Sequence, residues 1–164
     1  MHLDAVRPGV ATYGLRPSGE VSPALPLRPA LAIKSHVARV RTLPAGSSIS
    51  YGRTYITPRE MPVALIPVGY GDGYHRLASN RGVVLINGKR APIVGRVCMD
   101  QFVVDISQVG MVNLGDEAVL LGRQGDSCIT AEEIAGWTET INYEVTTSLL
   151  PRLPRLYREN GTLR

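Results

Sequence analysis

Ser50-Tyr51-Gly52 presents a phenol beside a glycine, shortly after the turn signal Leu-Pro-Ala-Gly at residues 43–46. A phenol has an ordinary pKa of about 10, so it accepts a proton at neutral pH only where positive charge stabilises its anionic form. Tyr51 is therefore a candidate acid or base that requires a cationic neighbour. An ordinary surface or half-buried ring is the alternative interpretation, and the tripeptide alone leaves both open.

A second candidate is the segment GYGDGY at residues 69–74, which follows the apolar run VALIPV. Three glycines in five residues allow backbone conformations that are closed to other residues. The segment is expected to hold Tyr70 and Tyr74 at the end of a strand. A hairpin-like loop is the alternative, and the glycine spacing is not that of a dinucleotide-binding fingerprint.

The segment GRVCMDQ at residues 95–101 carries polar side chains among apolar neighbours. Some of these groups, Arg96 and Asp100 among them, must face inward or toward a cleft and be paired there, because unpaired buried polar groups are costly. An ion pair with a purely structural purpose is the alternative.

Residues 6–10, VRPGV, have the chemistry of an anion site. Gly9 and Val10 can offer consecutive backbone N–H groups, an arrangement that suits phosphate. Arg7 beside them is a permanent cation that donates hydrogen bonds and accepts none. A simple turn is the alternative. Farther along, INYE at residues 141–144 is typical of the start of a helix.

Composition restricts the class of protein. The 164 residues are 44% hydrophobic and 20% charged, as in an ordinary soluble domain with a real core. The net charge is +4, but the arginines are scattered and the chain has one Phe and one Trp, which disfavours nucleic-acid binding and leaves a mild preference for anions. A phosphate-bearing cofactor or a carboxylate substrate satisfies that preference equally well.

The same inventory argues against metals and membranes. Cys98 and Cys128 have no metal-ligand spacing and are expected to be buried, unbridged thiols. No run approaches the roughly 18 apolar residues of a membrane span, and the N-terminus lacks the order of a signal peptide. We therefore expect no metal site, no membrane partner and a cytoplasmic location.

Short strands separated by turn signals must position these candidates. Strands are predicted at residues 10–15, 30–42, 63–68, 83–86, 90–94, 97–106 and 117–121. Asn87-Gly88 predicts a type I′ hairpin turn, because both central residues of that turn need positive φ. Thr130 and Glu133 form a capping-box pattern for a helix to about Trp137, and Asn142 is a candidate cap for a second helix that ends before Pro151. The pattern therefore predicts a mostly β fold, a barrel or a sandwich, with one or two short helices.

Five segments occur in an order that resembles one family. VRPGVATYGL, SYGRTY, GYGDGY, GRVCMDQ and TINYEV, from Val6 to about Glu144, are similar to the C-terminal part of the alanine racemases, fold-type III enzymes that depend on pyridoxal 5′-phosphate (PLP). The resemblance implies that residues 1–15 are the terminal piece of an N-terminal PLP-binding (β/α)₈ barrel. It further implies a connection at residues 16–29 and a C-terminal domain at residues 30–164 that is a mostly β, Greek-key-like β-barrel.

The resemblance also assigns roles. Tyr51 matches the tyrosine that is one of two bases, acting on the α-proton of alanine from the face opposite the cofactor lysine, and Arg7 matches the arginine that hydrogen-bonds the pyridine nitrogen of PLP. The other matches are Gly9 and Val10 as backbone donors to the PLP phosphate, Tyr143 as a phenol at the same phosphate, Met99 and Asp100 at the substrate, and Tyr70 and Arg96 along the corridor to the site.

These matches imply an isomerase that interconverts L-alanine and D-alanine, a peptidoglycan precursor, as a head-to-tail homodimer in which Tyr51 enters the partner subunit's site. The lysine that carries PLP and the N-terminal barrel domain are not in this sequence, so the chain by itself is expected to be inactive. Racemisation of serine or lysine on the same scaffold, or a freestanding β-domain used for binding or assembly, remain alternatives. A related decarboxylase fits less well, since its cysteine-containing motif differs from Cys98-Met99-Asp100.

Overall fold

Short antiparallel strands make up most of the regular structure. The computed structural model describes residues 4–20, 26–159 and 162–163, so parts of the predicted barrel piece (1–3) and connection (21–25) lie outside it. The strands are β1 (Ile33–His36), β2 (Arg39–Leu43), β3 (Ser48–Ile49), β4 (Tyr55–Ile56), β5 (Met61–Ile66), β6 (Val83–Ile86), β7 (Lys89–Pro92), β8 (Phe102–Asp105), β9 (Glu117–Gln124), β10 (Ser127–Ile129), β11 (Arg158–Glu159) and β12 (Thr162–Leu163). The α-helices are α1 (Ala131–Thr138) and α2 (Asn142–Thr147), and four 3₁₀ helices occur at Gly9–Tyr13, Tyr51–Arg53, Tyr70–Asp72 and Arg76–Ala78. The predicted class, mostly β with one or two short helices, is confirmed.

Two sheets carry the fold. The larger has the order β1-β9-β6-β7, with β10 also paired to β9, and the smaller has the order β2-β5-β8. An isolated antiparallel bridge between Ile93 and Val104 links their margins. The two-residue strands β3 and β4 pair with each other and flank the turn that contains Tyr51.

One apolar core lies between the sheets and α1. Its largest fully buried side chains include Phe102, Ile66, Leu85, Leu120 and Ile134, which come from β8, β5, β6, β9 and α1. A second, smaller cluster lies under the β3–β4 ribbon and contains Ile49, Met61, Val63 and Val94. Burial of these aliphatic groups is the main stabilising contribution, at about 25 cal/mol per Å² of apolar surface. The ribbon therefore rests on its own packed base.

The hairpin prediction is confirmed. β6 and β7 pair from Val83 with Pro92 to Ile86 with Lys89, so only two residues close the turn. Asn87 has φ 52° and Gly88 has φ 72°, the positive values that a type I′ turn requires. The predicted strands at 63–68 and 117–121 also exist, as β5 and the longer β9.

The predicted strand at residues 10–15 is wrong, because Gly9–Tyr13 is a 3₁₀ helix. A strand needs a neighbouring strand to satisfy its backbone groups. Here the backbone groups bond locally instead, Gly14 N–H to the Ala11 carbonyl at 3.0 Å and Leu15 N–H to the Val10 carbonyl at 3.4 Å.

The single long strand predicted at residues 30–42 is two strands in different sheets. β1 pairs with β9, and β2 pairs with β5. The chain changes sheets at Val37 and Ala38, whose N–H groups donate to the Asp116 and Leu65 carbonyls at 2.8 and 2.9 Å. Local pattern cannot reveal this change, since β propensity continues through it.

The strand predicted at residues 97–106 exists only as β8 (Phe102–Asp105). Its first half is a loop whose carbonyls accept from a different part of the chain. Tyr70 N–H donates to the Cys98 carbonyl at 3.0 Å, and Gly71 N–H donates to the Met99 carbonyl at 2.8 Å. Pairing with the glycine-rich segment replaces the strand ladder here.

Both helix caps differ in part from the prediction. Thr130 Oγ1 accepts from Glu133 N–H at 3.2 Å, as predicted for α1, but the Glu133 carboxylate binds Arg90 on β7 rather than returning to the cap. Ile141, not Asn142, is the cap residue of α2. The Asn142 side chain donates to the Arg16 carbonyl and joins this helix to the N-terminal segment.

A membrane-spanning helix, a metal-ligand cluster and a disulfide are all absent from the described residues. Within residues 4–20, 26–159 and 162–163, none of the helices is long and apolar enough to cross a membrane. The same residues contain no cluster of three or more His, Cys, Asp or Glu side chains with the geometry of a metal site. Cys98 and Cys128 are unbridged as predicted, although both are half-buried rather than buried.

Candidate active site

Four of the predicted site residues line one open cleft of about 880 Å³. Tyr51 comes from the turn between β3 and β4, Tyr70 from the glycine-rich segment, and Met99 and Asp100 from the loop before β8. The remaining lining residues are Ser50, Cys98 and Gln101. The three motifs that were separate in sequence therefore meet at one surface.

Tyr51 stands at the edge of this cleft with 74% of its side chain exposed. It begins the 3₁₀ turn Tyr51–Arg53, and three residues of this turn region have positive φ: Ser50 (63°), Gly52 (72°) and Arg53 (49°). The guanidinium of Arg96 lies over the turn, since a Cβ added to Gly52 would be 3.2 Å from Arg96 Nε. The Arg96 side chain therefore packs against the backbone of the turn that carries Tyr51.

The glycine-rich segment fits closely against the loop that holds Met99. A Cβ on Gly69 would lie 2.2 Å from the Cys98 carbonyl oxygen, so only glycine allows this approach. The Asp72 carboxylate accepts from the Gly69 N–H at 2.8 Å and closes the 3₁₀ turn Tyr70–Asp72. The glycines of GYGDGY thus let two backbones meet at the base of the cleft.

Arg152 is part of this site and was missed by the sequence interpretation. Its Nε donates to Asp72 Oδ1 at 2.6 Å and its Nη2 donates to Asp100 Oδ1 at 2.5 Å, with the Met99 carbonyl 3.4 Å from Nη2. The hydrogen bonds that Arg152 donates to Asp72 and to Asp100 raise the pKa of Arg152. The ion pair considered as the alternative for the GRVCMDQ segment therefore exists, and its cation is Arg152. No local signal pointed to it, because Arg152 follows Asp100 by 52 residues.

Arg96 is not among the residues that line the cleft. It lines a separate hollow with Thr54, Arg76, Ser79 and Asn80, on the other side of the Tyr51 turn. Its carbonyl oxygen, rather than its side chain, contacts the cleft residue Ser50. The Arg96 side chain thus borders the turn and not the cavity.

The predicted anion-binding residues lie elsewhere. Arg7 is exposed, Val10 is buried, and Gly9 has φ 59° with nothing within 4 Å of where a Cβ would stand. Tyr143 lies on α2 with 36% exposure. The Asn142 bond to the Arg16 carbonyl, at 2.9 Å, ties the start of α2 to the segment that follows Gly9–Tyr13. Arg7, Gly9 and Val10 therefore lie in the N-terminal segment and Tyr143 lies on α2. None of the four lines the Tyr51 cleft.

Known proteins are similar to this chain in sequence and in fold. The family described as alanine racemase, C-terminal domain, matches residues 30–157. The chain belongs to this family. The alanine racemase of Carboxydothermus hydrogenoformans is 53% identical over 157 residues, which are 95% of this chain and 43% of that protein. The alanine racemase of Halothermothrix orenii is 47% identical over 95% of this chain and 41% of its own length.

Solved structures agree with the fold of this alanine racemase domain. The crystal structure of alanine racemase from Bacillus anthracis with bound L-Ala-P superposes with a TM-score of 0.89 at 44% identity, covering 94% of this chain and 40% of that one. Alanine racemase from Streptomyces lavendulae gives a TM-score of 0.86 at 46% identity, over 93% and 40%. The chain thus spans about two fifths of the length of the alanine racemases it matches.

Proposed function

We propose that this chain is the C-terminal part of a PLP-dependent alanine racemase, and that Tyr51 is one of its two proton-transferring residues. The observation that carries the proposal is the exposure of Tyr51 at the rim of a cleft that also contains Met99 and Asp100. Inverting a carbon centre requires proton removal on one face and delivery on the other, which a single side chain cannot do without turning the substrate. An exposed phenol held over a polar cleft suits one of those faces.

The exposure of Tyr51 also supports its use in a neighbouring subunit. A ring that is 74% exposed on its own chain has surface left to bury against another molecule. We propose a head-to-tail homodimer in which Tyr51 completes the partner's site. Residues 1–15 would then be the last piece of the N-terminal barrel, residues 16–29 the connection and residues 30–164 the C-terminal domain. The compartment we propose is the cytoplasm.

The substrate-binding roles follow from the polarity of the cleft. A carboxylate only accepts hydrogen bonds, so of the Met99 backbone groups the N–H, and not the carbonyl, would bind the substrate carboxylate. Asp100 alone would repel that carboxylate. Its ion pair with Arg152 at 2.5 Å offsets the negative charge and leaves a locally balanced surface that tolerates a zwitterion. Tyr70 lines the same cleft, and Arg96 borders the adjoining hollow, which supports our proposal that they flank the substrate corridor.

The residues of the N-terminal segment fit a phosphate-bearing aromatic cofactor. The first N–H groups of a helix have no partner within it, and the open space around Gly9 lets a phosphate approach those of Gly9 and Val10. Tyr143, on the helix joined to this segment, can donate to the same group. When bound, PLP supplies the electron withdrawal that acidifies the α-proton of the substrate. Arg7 only donates hydrogen bonds, so a ring nitrogen that faces it stays unprotonated.

The test is Tyr51→Phe in the full-length racemase that carries this chain. Removal of the phenolic hydroxyl is expected to lower kcat in both directions by about a hundredfold or more, the usual contribution of a positioned acid or base, with little change in KM. Tyr157→Phe removes a hydroxyl from another exposed ring and should leave the rate unchanged. Near-normal racemisation by the Tyr51 variant would refute the assigned role. Competition with serine and lysine measures the substrate range.

A further inference from the structure

The backbone of Ser50, immediately before Tyr51, is in a strained conformation. Its φ of 63° and ψ of −174° fall in a region that is populated almost only by glycine. Such a conformation persists only where surrounding contacts hold it in place. The direction of a side chain follows from the backbone that carries it. The contacts that fix the backbone of Ser50 therefore also determine where the Tyr51 side chain points.

The hydroxyl of Ser50 provides that hold. Ser50 Oγ donates to the Arg96 carbonyl at 2.7 Å, and the Cys98 sulfur lies 3.1 Å from the same Oγ. A serine hydroxyl has one proton, so with that proton on the Arg96 carbonyl the Cys98 thiol is the donor to Ser50 Oγ. Both bonds connect Ser50 to the single segment that contains Arg96 and Cys98.

That segment is itself anchored. Gly95 N–H donates to Asn80 Oδ1 at 2.6 Å, and Val97 N–H donates to Ser79 Oγ at 2.9 Å. A Cβ on Gly95 would lie 2.7 Å from the Ile49 carbonyl oxygen, which shows how closely this segment approaches the β3 strand. Ser50 is therefore bonded to a fixed support.

The same support reaches the far end of the turn. The Asn80 side chain, which accepts from Gly95, also donates through Nδ2 to Thr54 Oγ1 at 3.1 Å. Tyr51 thus lies between two tethered residues, Ser50 and Thr54. Tyr51 is 74% exposed, so its ring packs little against its own chain, and the tethered backbone is what this chain supplies to orient it.

We propose that Ser50 is a positioning residue for Tyr51, whose hydroxyl holds the strained turn in the geometry that proton transfer needs. This inference rests on the proposed function, in which Tyr51 acts on the α-proton from one face. A displacement of a reacting group by about 1 Å lowers rates by as much as about a hundredfold. Loss of one tether, with the other kept, is expected to have a smaller effect of about tenfold on kcat/KM.

Ser50→Ala in the full-length racemase tests the proposal, with primary isotope effects from α-deuterated L-alanine and D-alanine as the decisive readout. The equilibrium between enantiomers is unchanged, so kcat/KM must fall equally in both directions. Slowing only the step at Tyr51 makes that step more rate-limiting. We assign L-alanine as the enantiomer that Tyr51 deprotonates, so the isotope effect should then rise for L-alanine and fall for D-alanine. A general loss of structure moves both isotope effects alike.

Three other variants serve as comparisons. Ser127→Ala deletes a serine hydroxyl that donates to the Gly88 carbonyl at 2.6 Å, far from the cleft, and should leave rates and isotope effects unchanged. Ser50→Gly removes the same tether but relieves the backbone strain, so it should melt no lower than Ser50→Ala and still be slow. Cys98→Ala keeps the bond from Ser50 to Arg96 and should have a smaller effect than either.

The outcomes separate the two proposals. If Tyr51→Phe is inactive, two results overturn the positioning role of Ser50 and leave the proposed function standing. One is a pair of isotope effects that change together in Ser50→Ala. The other is a folded Ser50→Ala or Ser50→Gly enzyme that racemises at the normal rate. Normal racemisation by Tyr51→Phe overturns the proposed function and this inference with it. Divergent isotope effects, retained in Ser50→Gly and absent in Ser127→Ala, support the inference.

Discussion

The hydroxyl of Tyr74 offers a sharp test of the core. Its ring is 4% exposed and stacks on Phe102 with centroids 5.3 Å apart and planes at 23°. The hydroxyl oxygen is buried and has no hydrogen-bond partner among the described residues. Burial disfavours the charged phenolate and raises the pKa of Tyr74. Tyr74→Phe removes this oxygen while keeping the ring and its stacking.

The expected gain in stability follows from two contributions. An unpaired buried hydroxyl destabilises the folded protein by about 1–3 kcal/mol, and its removal relieves this cost. The small void left behind offsets part of the gain, so we expect the variant to be about 1 kcal/mol more stable than the parent at neutral pH. The pKa of Tyr74 is higher when folded than when unfolded, so its contribution is fully present below about pH 10 and is lost as the pH rises toward the folded value. At about pH 11 the loss in the parent protein is about 1.4 kcal/mol, and the difference between the two proteins widens to about 2.4 kcal/mol.

Urea unfolding followed by circular dichroism at several pH values between about 7 and 11 measures this difference. Taking the difference between two proteins cancels the groups they share. Tyr157→Phe is the matched control, because the Tyr157 ring is 70% exposed and its hydroxyl meets water in either state. A difference that stays constant with pH would refute the burial of the Tyr74 phenol. A variant less stable than the parent at neutral pH would mean that the hydroxyl has a partner.

Two further predictions concern the segment next to the cleft. Gly73→Ala would place a Cβ 2.1 Å from the Ser148 carbonyl oxygen, at a residue with φ 95°. Gly110 has nearly the same φ, 94°, but its Cβ would meet open space. Thermal melts should therefore show Gly73→Ala to be less stable than Gly110→Ala by at least about 2 kcal/mol. Equal losses would mean that φ strain alone matters. Asp72→Ala removes a nearly buried acceptor of Arg152 and should cost about 2–3 kcal/mol in urea unfolding, whereas a loss below about 0.5 kcal/mol would contradict the network.

Local patterns predicted those elements whose chemistry is complete within a few residues. Asn87-Gly88 requires only its own positive φ values, and Thr130 needs only the N–H of Glu133 three residues on. The prediction was wrong where a distant group took the bond. The Glu133 carboxylate binds Arg90, and the Asn142 side chain reaches the Arg16 carbonyl instead of capping its own helix.

The sequence by itself determined the family, because five short motifs in one order identify it without any contact being known. It also marked Tyr51, Tyr70, Met99 and Asp100 as residues of interest, although their roles remain predictions. Only the tertiary structure decided that these four share one cleft and that Arg152, 80 residues after Asp72, binds both the Asp72 and the Asp100 carboxylates. The reason is physical. Motifs record local backbone requirements, whereas ion pairs and burial depend on which distant segments the packed core brings together.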